Sequence, residues 1–228
     1  MAEKVVVVGL GLFGMALTKE LDKLGYEVLA IDRRADRIKE IANGNVHAVQ
    51  GDATSSALWE DLQLRDYRVG IVAFSSSIEA NILTTLLLRK LNLPHIIAKS
   101  NGGQHSEVLR AIGVNVVIQP QEEIGRRVAH VIGSAIEDYI DLADEHGVAK
   151  LVAGNTLDSL ECGQIEDKLE VSVLVIRHGN HLIINPTSSE PVRADDILIV
   201  AGRDAALRHL ARLPRQAKEW GSVADSHP

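Results

Sequence analysis

From residue 3 to about residue 133, short runs of β-branched and aliphatic residues alternate with longer amphipathic segments. The runs are VVVVG (Val5–Gly9), EVLAID (Glu27–Asp32), VHAVQGD (Val46–Asp52), VGIVAF (Val69–Phe74), HIIAKS (His95–Ser100) and VNVVIQ (Val114–Gln119). Strands apolar on both faces belong to a sheet covered on both sides, and each parallel connection needs a crossover of helix length. Six such runs with helix-length separators predict an α/β fold with a doubly wound parallel sheet.

After Pro120 the apolar positions Ile124, Val128, Val131, Ile132, Ala135, Ile136 and Tyr139 follow helical spacing, so one helix is expected to leave the sheet. Such a helix can pack on a neighbouring subunit or run as a solvated link. Beyond the acidic stretch Asp141 to Glu145 the pattern changes. VAKLVAGN, VSVLVIR, HLIIN and DILIVAG read as strands, RHGNH (Arg177–His181) as a hairpin turn, and Leu157 to Leu169 and Asp204 to Leu213 as helices. The expected division is a first domain with its crossover helix at 1–136, a small α+β domain at 137–213, and a polar, disordered tail at 214–228.

Composition supports this picture and removes some functions. Aromatic residues make up only 3% against 46% hydrophobic, so the core must rest on Val, Ile, Leu and Ala. A formal net charge of -7 argues against nucleic acid as a partner. The single cysteine, Cys162, allows neither an internal disulfide nor a cysteine zinc site, which suits a reducing cytoplasm. The longest apolar stretch, Val5 to Leu17, is broken by glycines and falls short of the ~20 residues that cross a bilayer, so direct membrane insertion is not expected.

Candidate chemistry concentrates in the first domain. Gly9-Leu10-Gly11-Leu12-Phe13-Gly14 follows the first strand and opens a helix expected at Met15 to Leu24. In such a turn one glycine makes the bend, the next lets a pyrophosphate approach the backbone, and the third lets helix and strand pack closely. Free N–H groups at the helix start then face the phosphate. These features make the first domain a Rossmann-like nucleotide-binding fold. Asp32 ends the second strand, where a carboxylate can accept hydrogen bonds from ribose hydroxyls. Arg33 and Arg34 can accept a 2′-phosphate, cover an adenine or stand as a solvated surface. Asp52 can meet an adenine amino group or cap the segment from Ala53, with Thr54 a competing cap. Ser75, Ser76 and Ser77 lie at the ligand edge of the sheet, and at least one is expected to cap the helix Ile78 to Leu91. Lys99, ending the fifth strand, can reach a phosphate or point to solvent. No HExxH or other metal-ligand spacing occurs and Cys162 has no neighbouring histidine in sequence, so neither a metal site nor a catalytic residue is expected.

The strings GLGLFGMALTKELDKLGYEVLAID, HAVQGDAT, EANILTTLLLRKL and AIGVNVVIQP resemble the RCK (KTN) domain of the KtrA/TrkA family of potassium-uptake regulators. YIDLADEHGVAKLV and DDILIVAG resemble that family's C-terminal domain, so the likeness spans residues 3 to about 212. It implies a non-enzymatic cytosolic subunit that binds adenine nucleotide, ATP or ADP with NAD as a further candidate. It also implies dimers through the crossover helix, assembled into a ring, expected to be an octamer, under a membrane-embedded potassium transporter or channel. The location implied is cytoplasmic, held at the inner face of the cell membrane through that partner. The ligand contacts implied fall on the turn Gly9, Gly11, Leu12, Phe13 and Gly14, then on Asp32, Arg33, Asp52, Ala53, Phe74, Ser75, Lys99 and His105.

Three departures from the family pattern matter. Leu12 stands where ATP-regulated members carry an arginine that reaches the terminal phosphate across subunits. Gln121 replaces a glutamate that helps bind a divalent cation, and Glu166 replaces an arginine of members that bind cyclic di-AMP. Discrimination between ATP and ADP, and cyclic di-AMP binding, are therefore not expected. Two other readings remain: a sensor of NAD(H) or adenine nucleotide with a soluble partner, and a small NAD-dependent oxidoreductase.

Overall fold

The computed structural model describes residues 3–42, 44–62, 64–132, 135–143 and 145–212. The expected tail at 214–228 lies outside the described residues. By contacts the chain forms two compact units, Met1–Pro120 and Gln121–Pro228. The boundary expected at residue 136 thus differs from the division by contacts, which assigns the helix after Pro120 to the second unit.

In the first unit, strands β1 (Lys4–Val8), β2 (Glu27–Asp32), β3 (Val46–Gln50), β4 (Val69–Val72), β5 (His95–Lys99) and β6 (Val116–Ile118) form one sheet in the order β3-β2-β1-β4-β5-β6. Every pairing in it is parallel. The six expected strands are all present: β2 has the expected bounds, β1 is shifted by one residue, and β3 to β6 are shorter than expected. Period-two alternation explains why both faces are apolar. Val6 and Val8 pack with Leu29, Ile31, Val72 and Leu88, whereas Val5 and Val7 pack with Val28 and Ile71. Helices α1 (Leu12–Lys23), α2 (Ala35–Ile41), α3 (Ser56–Asp61), α4 (Ile78–Lys90) and α5 (Gly103–Ala111) make the crossovers. Strand order reverses between β1 and β4, and in open sheets of this kind ligands sit in the crevice outside the carboxyl ends at that point.

In the second unit, α6 (Pro120–Val131) leads into β7 (Ile136–Ala143), which corrects one expectation: Ile136 and Tyr139 belong to a strand, not to the end of a helix. Strands β7, β8 (His146–Val152), β9 (Val171–His178), β10 (His181–Ile184) and β11 (Ile197–Arg203) form a sheet in the order β10-β9-β11-β8-β7. Every pairing in it is antiparallel. The β9–β10 turn is the expected hairpin, with His178 opposite His181 and Gly179 at a φ of 57°. Helices α7 (Cys162–Leu169) and α8 (Asp204–Arg212) complete it. The first of these begins five residues later than expected because Glu161 and Gln164 form a reciprocal capping box that fixes the start. Arg126 and Arg127 of α6 pair with Asp141 and Asp138 of β7, and His130 stacks on Tyr139 with ring centroids 3.9 Å apart.

Candidate functional site

The glycines of the first turn have three different physical jobs. Gly9 sits at a φ of 94°, a region that side chains disfavour, and a Cβ there would press on the Phe74 ring. Gly14 faces the backbone: a Cβ would collide with the Gly9 carbonyl oxygen, so only glycine lets α1 approach β1 this closely. Gly11 is different again. A Cβ would meet nothing within 4 Å, which leaves open space above the loop. Gly11 is also the N-cap of α1 and makes no side-chain cap bond, and the first N–H groups of a helix lack intrahelical partners. The turn therefore presents free donors and the positive end of a helix dipole to open space.

Asp32 is 7% exposed and holds this loop in place. Its Oδ2 accepts from the backbone N–H of Leu10 at 2.6 Å and from the Arg37 guanidinium at 3.1 Å, and its Oδ1 accepts from the N–H of Arg34 at 2.9 Å. A carboxylate offers about four lone-pair sites, so roughly one remains for a ligand hydroxyl. Asp52 is not a helix cap. Its Oδ1 accepts from the Thr54 hydroxyl at 2.7 Å, the Thr54 N–H at 2.9 Å and Arg33 at 2.7 Å, while α3 starts later, behind Ser55. The Thr54 hydroxyl and N–H, with Arg33, hold the Asp52 carboxyl down at about 2. Ser77 does cap α4, accepting from the Ala80 N–H at 3.2 Å.

These elements line a cavity of about 240 Å³, open to solvent, at the carboxyl ends of β1 to β4. Among the expected site residues, Gly9, Asp32, Arg33, Asp52, Ala53 and Phe74 line it. The others do not. Leu12 is 97% exposed at the start of α1, and Phe13 turns into the apolar layer with Val5 and Val7. Ser75 is half-buried beside the lining residues Ser76 and Ser77. Lys99 ends β5, where its carbonyl accepts from Asn81, whose amide also donates to the Phe74 carbonyl and so ties the ends of β4 and β5 together. His105 is buried in α5, its Nδ1 accepting from the Asn101 N–H at 3.1 Å, and burial lowers its pKa.

Arg37 and Thr84 line the cavity and were not anticipated. For Thr84 a signal existed: Ser77, Ala80 and Thr84 are spaced i, i+3 and i+7, one stripe of α4, and all three line the cavity. For Arg37 the sequence gives only a basic residue in a surface helix.

The volume is a little below the roughly 300–1,000 Å³ of pockets that enclose a drug-sized ligand. It suits the nucleoside end of a nucleotide, with the phosphates beside Gly11. Residues 5–120 match the TrkA-N domain model. A Ktr system potassium uptake protein C from Bacillus subtilis is 36% identical over 208 residues, covering 89% of this chain and 93% of that protein. The chain belongs to the KtrA/TrkA family of potassium-uptake proteins. Ktr system potassium uptake protein A from the same organism is 33% identical, with 88% of this chain and 91% of that protein covered. Among solved structures, the GsuK RCK domain overlays with a TM-score of 0.65 at 18% identity, covering 93% of this chain and 48% of that one. The GsuK channel bound to NAD gives 0.64 at 19%, with 92% and 39% covered. The chain thus spans less than half the length of these structural relatives, and at such identities the likeness bears on the fold alone. No helix among the described residues is long and apolar enough to cross a membrane.

Proposed function

We propose that this chain is the regulatory subunit of a potassium-uptake system, binding adenine nucleotide in its first unit and acting on a membrane-embedded transporter. The observation that carries the reading is the glycine turn with its open space over Gly11, set beside the Asp32–Asp52 cavity. Together they offer donors for phosphates and an open cleft for a nucleoside. The family membership supplies the potassium-uptake context. Gly9, Gly11, Asp32, Arg33, Asp52, Ala53 and Phe74 are the contacts we assign to the nucleotide. Regulation rather than turnover fits the lining, in which both carboxylates are already hydrogen-bonded to arginines and no histidine, cysteine or tyrosine takes part.

A ligand shifts a conformational equilibrium only by its differential affinity for the two states. Subunit pairing would give that difference a mechanical outlet. On α6 and just after it, Ile124, Val128 and Ile132 are 59%, 49% and 72% exposed, an apolar face suited to a second copy of the chain, in dimers that assemble into an octameric ring at the cytoplasmic face of the membrane. Val131, by contrast, packs into the core of its own unit.

The test has two arms. Calorimetry with ATP, ADP, AMP, NAD⁺ and NADH should find at least one ligand in the micromolar range, and deleting the gene should reduce potassium uptake in cells limited for potassium, with the intact gene restoring it. No nucleotide binding, or uptake indifferent to the gene, would overturn the proposal.

A further inference from the structure

The chain carries a formal net charge of -7, yet the charged residues lining the cavity are three arginines, Arg33, Arg34 and Arg37, against two carboxylates, Asp32 and Asp52. The arginines come from one short stretch. Arg33 and Arg34 join β2 to α2, and Arg37 stands in the first turn of α2. All three side chains are accessible to solvent, 61%, 61% and 35% exposed in that order. Their present partners leave several donors unused. Arg33 meets Asp52 through Nη2, Arg37 meets Asp32 through Nη1, and Arg34 meets the exposed Asp36 through Nε and Nη2. A guanidinium has five N–H donors, and exposed ion pairs contribute little to stability, so an incoming anion can draw on these groups without unsettling the fold.

The place of this stretch in the fold says which anion it suits. In a doubly wound sheet the residues after the second strand stand beside the 2′ position of a bound ribose, where an acid accepts from the hydroxyl or an arginine donates to a 2′-phosphate. The 5′ phosphates do not account for the arginines. Their donors are at the Gly11 turn, and Gly11 is not among the residues lining the cavity. A bare Asp32 carboxylate would repel a phosphate on the sugar. Here both of its oxygens already accept, from Leu10, Arg34 and Arg37, and the Arg37 guanidinium at 3.1 Å offsets its charge. We infer that the cavity takes a nucleotide phosphorylated on the ribose 2′ oxygen, that phosphate being held by Arg34 and Arg37 with Arg33 beside them. This rests on the nucleotide reading of the site and narrows its ligand class to adenosine 2′-phosphates, which bind more tightly than the matching 2′-hydroxyl compounds.

Adenosine 5′-monophosphate and adenosine 2′,5′-bisphosphate differ only in the 2′ group, so calorimetry with the pair isolates it. At low salt the bisphosphate should bind about five- to tenfold more tightly, the scale of a charge-assisted contact reduced by partial exposure, and the gain should shrink at high salt. Arg37→Gln should cut the preference to about twofold or less. Arg34→Gln keeps the backbone N–H that Asp32 uses and should lower the preference too, which gives a reading even where Arg37→Gln fails to fold. A bisphosphate that binds no better than the monophosphate would overturn the inference while leaving the nucleotide site standing. So would an equal gain from adenosine 3′,5′-bisphosphate, since the arginines would then answer to charge alone, or a preference unchanged in both variants. Failure of the unsubstituted protein to bind any of the three compounds would instead overturn the nucleotide reading, and this inference with it.

Discussion

Replacing Asp32 by alanine should damage the fold as well as the site, and the size of the effect can be worked from its partners. Sequence reasoning attaches the whole effect to a ribose contact, worth about 1–3 kcal/mol of binding. In the structure the carboxylate already accepts from Leu10, Arg34 and Arg37 before any ligand arrives. Leu10 is 1% exposed, so its N–H cannot turn to bulk water, and a buried donor left without an acceptor costs about 1–3 kcal/mol. Arg37 is about one-third exposed and can rehydrate, which limits its share to less than about 1 kcal/mol. The expected loss is therefore about 1–4 kcal/mol of stability in the first unit without any nucleotide present, the lower end applying if a water enters the vacated space. Urea unfolding followed by Trp59 fluorescence would measure it. Trp59 is buried in that unit with its indole N–H on the Ala53 carbonyl, and the second tryptophan, Trp220, can be removed as Trp220→Phe. An unfolding midpoint unchanged by Asp32→Ala, with nucleotide affinity nonetheless lost, would refute the reasoning and make Asp32 purely a ligand group.

Gly14→Ala should destabilise the first unit by about 1–3 kcal/mol, because the new methyl meets the Gly9 backbone and cannot be relieved by a side-chain rotation; thermal unfolding measures it. Asp52 has a folded pKa of about 2 against an ordinary 3.8, so its stabilisation is fully present above that ordinary value and is lost as pH falls towards 2. The stability gap between the unsubstituted protein and Asp52→Asn should close over that window, and with the side chain half exposed it should stay under about 1 kcal/mol. Leu12, exposed and uncharged, offers nothing to a γ-phosphate, so ATP and ADP affinities should lie within about tenfold by calorimetry, and Leu12→Arg should raise the preference for ATP.

The parallel sheet was legible because buried strands write themselves as unbroken aliphatic runs, and a run such as Val5–Gly9 has few other readings. Strand β7 was not, for a physical reason visible in its register. A β-bulge falls between Ile136 and Asp138, so the strand's phase shifts by one residue and the buried Ile136 and Tyr139 stand three apart, the spacing of a helix. With Ile124 to Ile132 already in helical phase, that single extra residue disguised the change of period. Helix α7 shows the converse: the apolar pattern from Leu157 overran its start, which is set by the Glu161–Gln164 cap and not by hydrophobicity.

At the site, the sequence located an acid at the end of the second strand, but strand position alone does not say what the acid touches. Asp32 reaches back 22 residues to Leu10, a contact that exists only once β1 and β2 are paired side by side. Its role is therefore shared in the reading proposed above: the carboxylate assigned to a ribose is also the one that holds the Gly9–Gly14 turn. That sharing couples the two ends of the proposed ligand. A sugar hydroxyl that takes the remaining lone pair of Asp32 shares that carboxylate with the donors that shape the Gly9–Gly14 loop, while phosphates bound over Gly11 favour the same loop geometry. Affinity should then depend on both ends together and not as a sum of parts, so a double-mutant cycle between Asp32→Asn and Gly11→Ala, measured with ADP, should show an interaction energy above about 0.5 kcal/mol. Strict additivity would mean that the loop is held by its glycines alone, and that Asp32 acts on the sugar and nothing else.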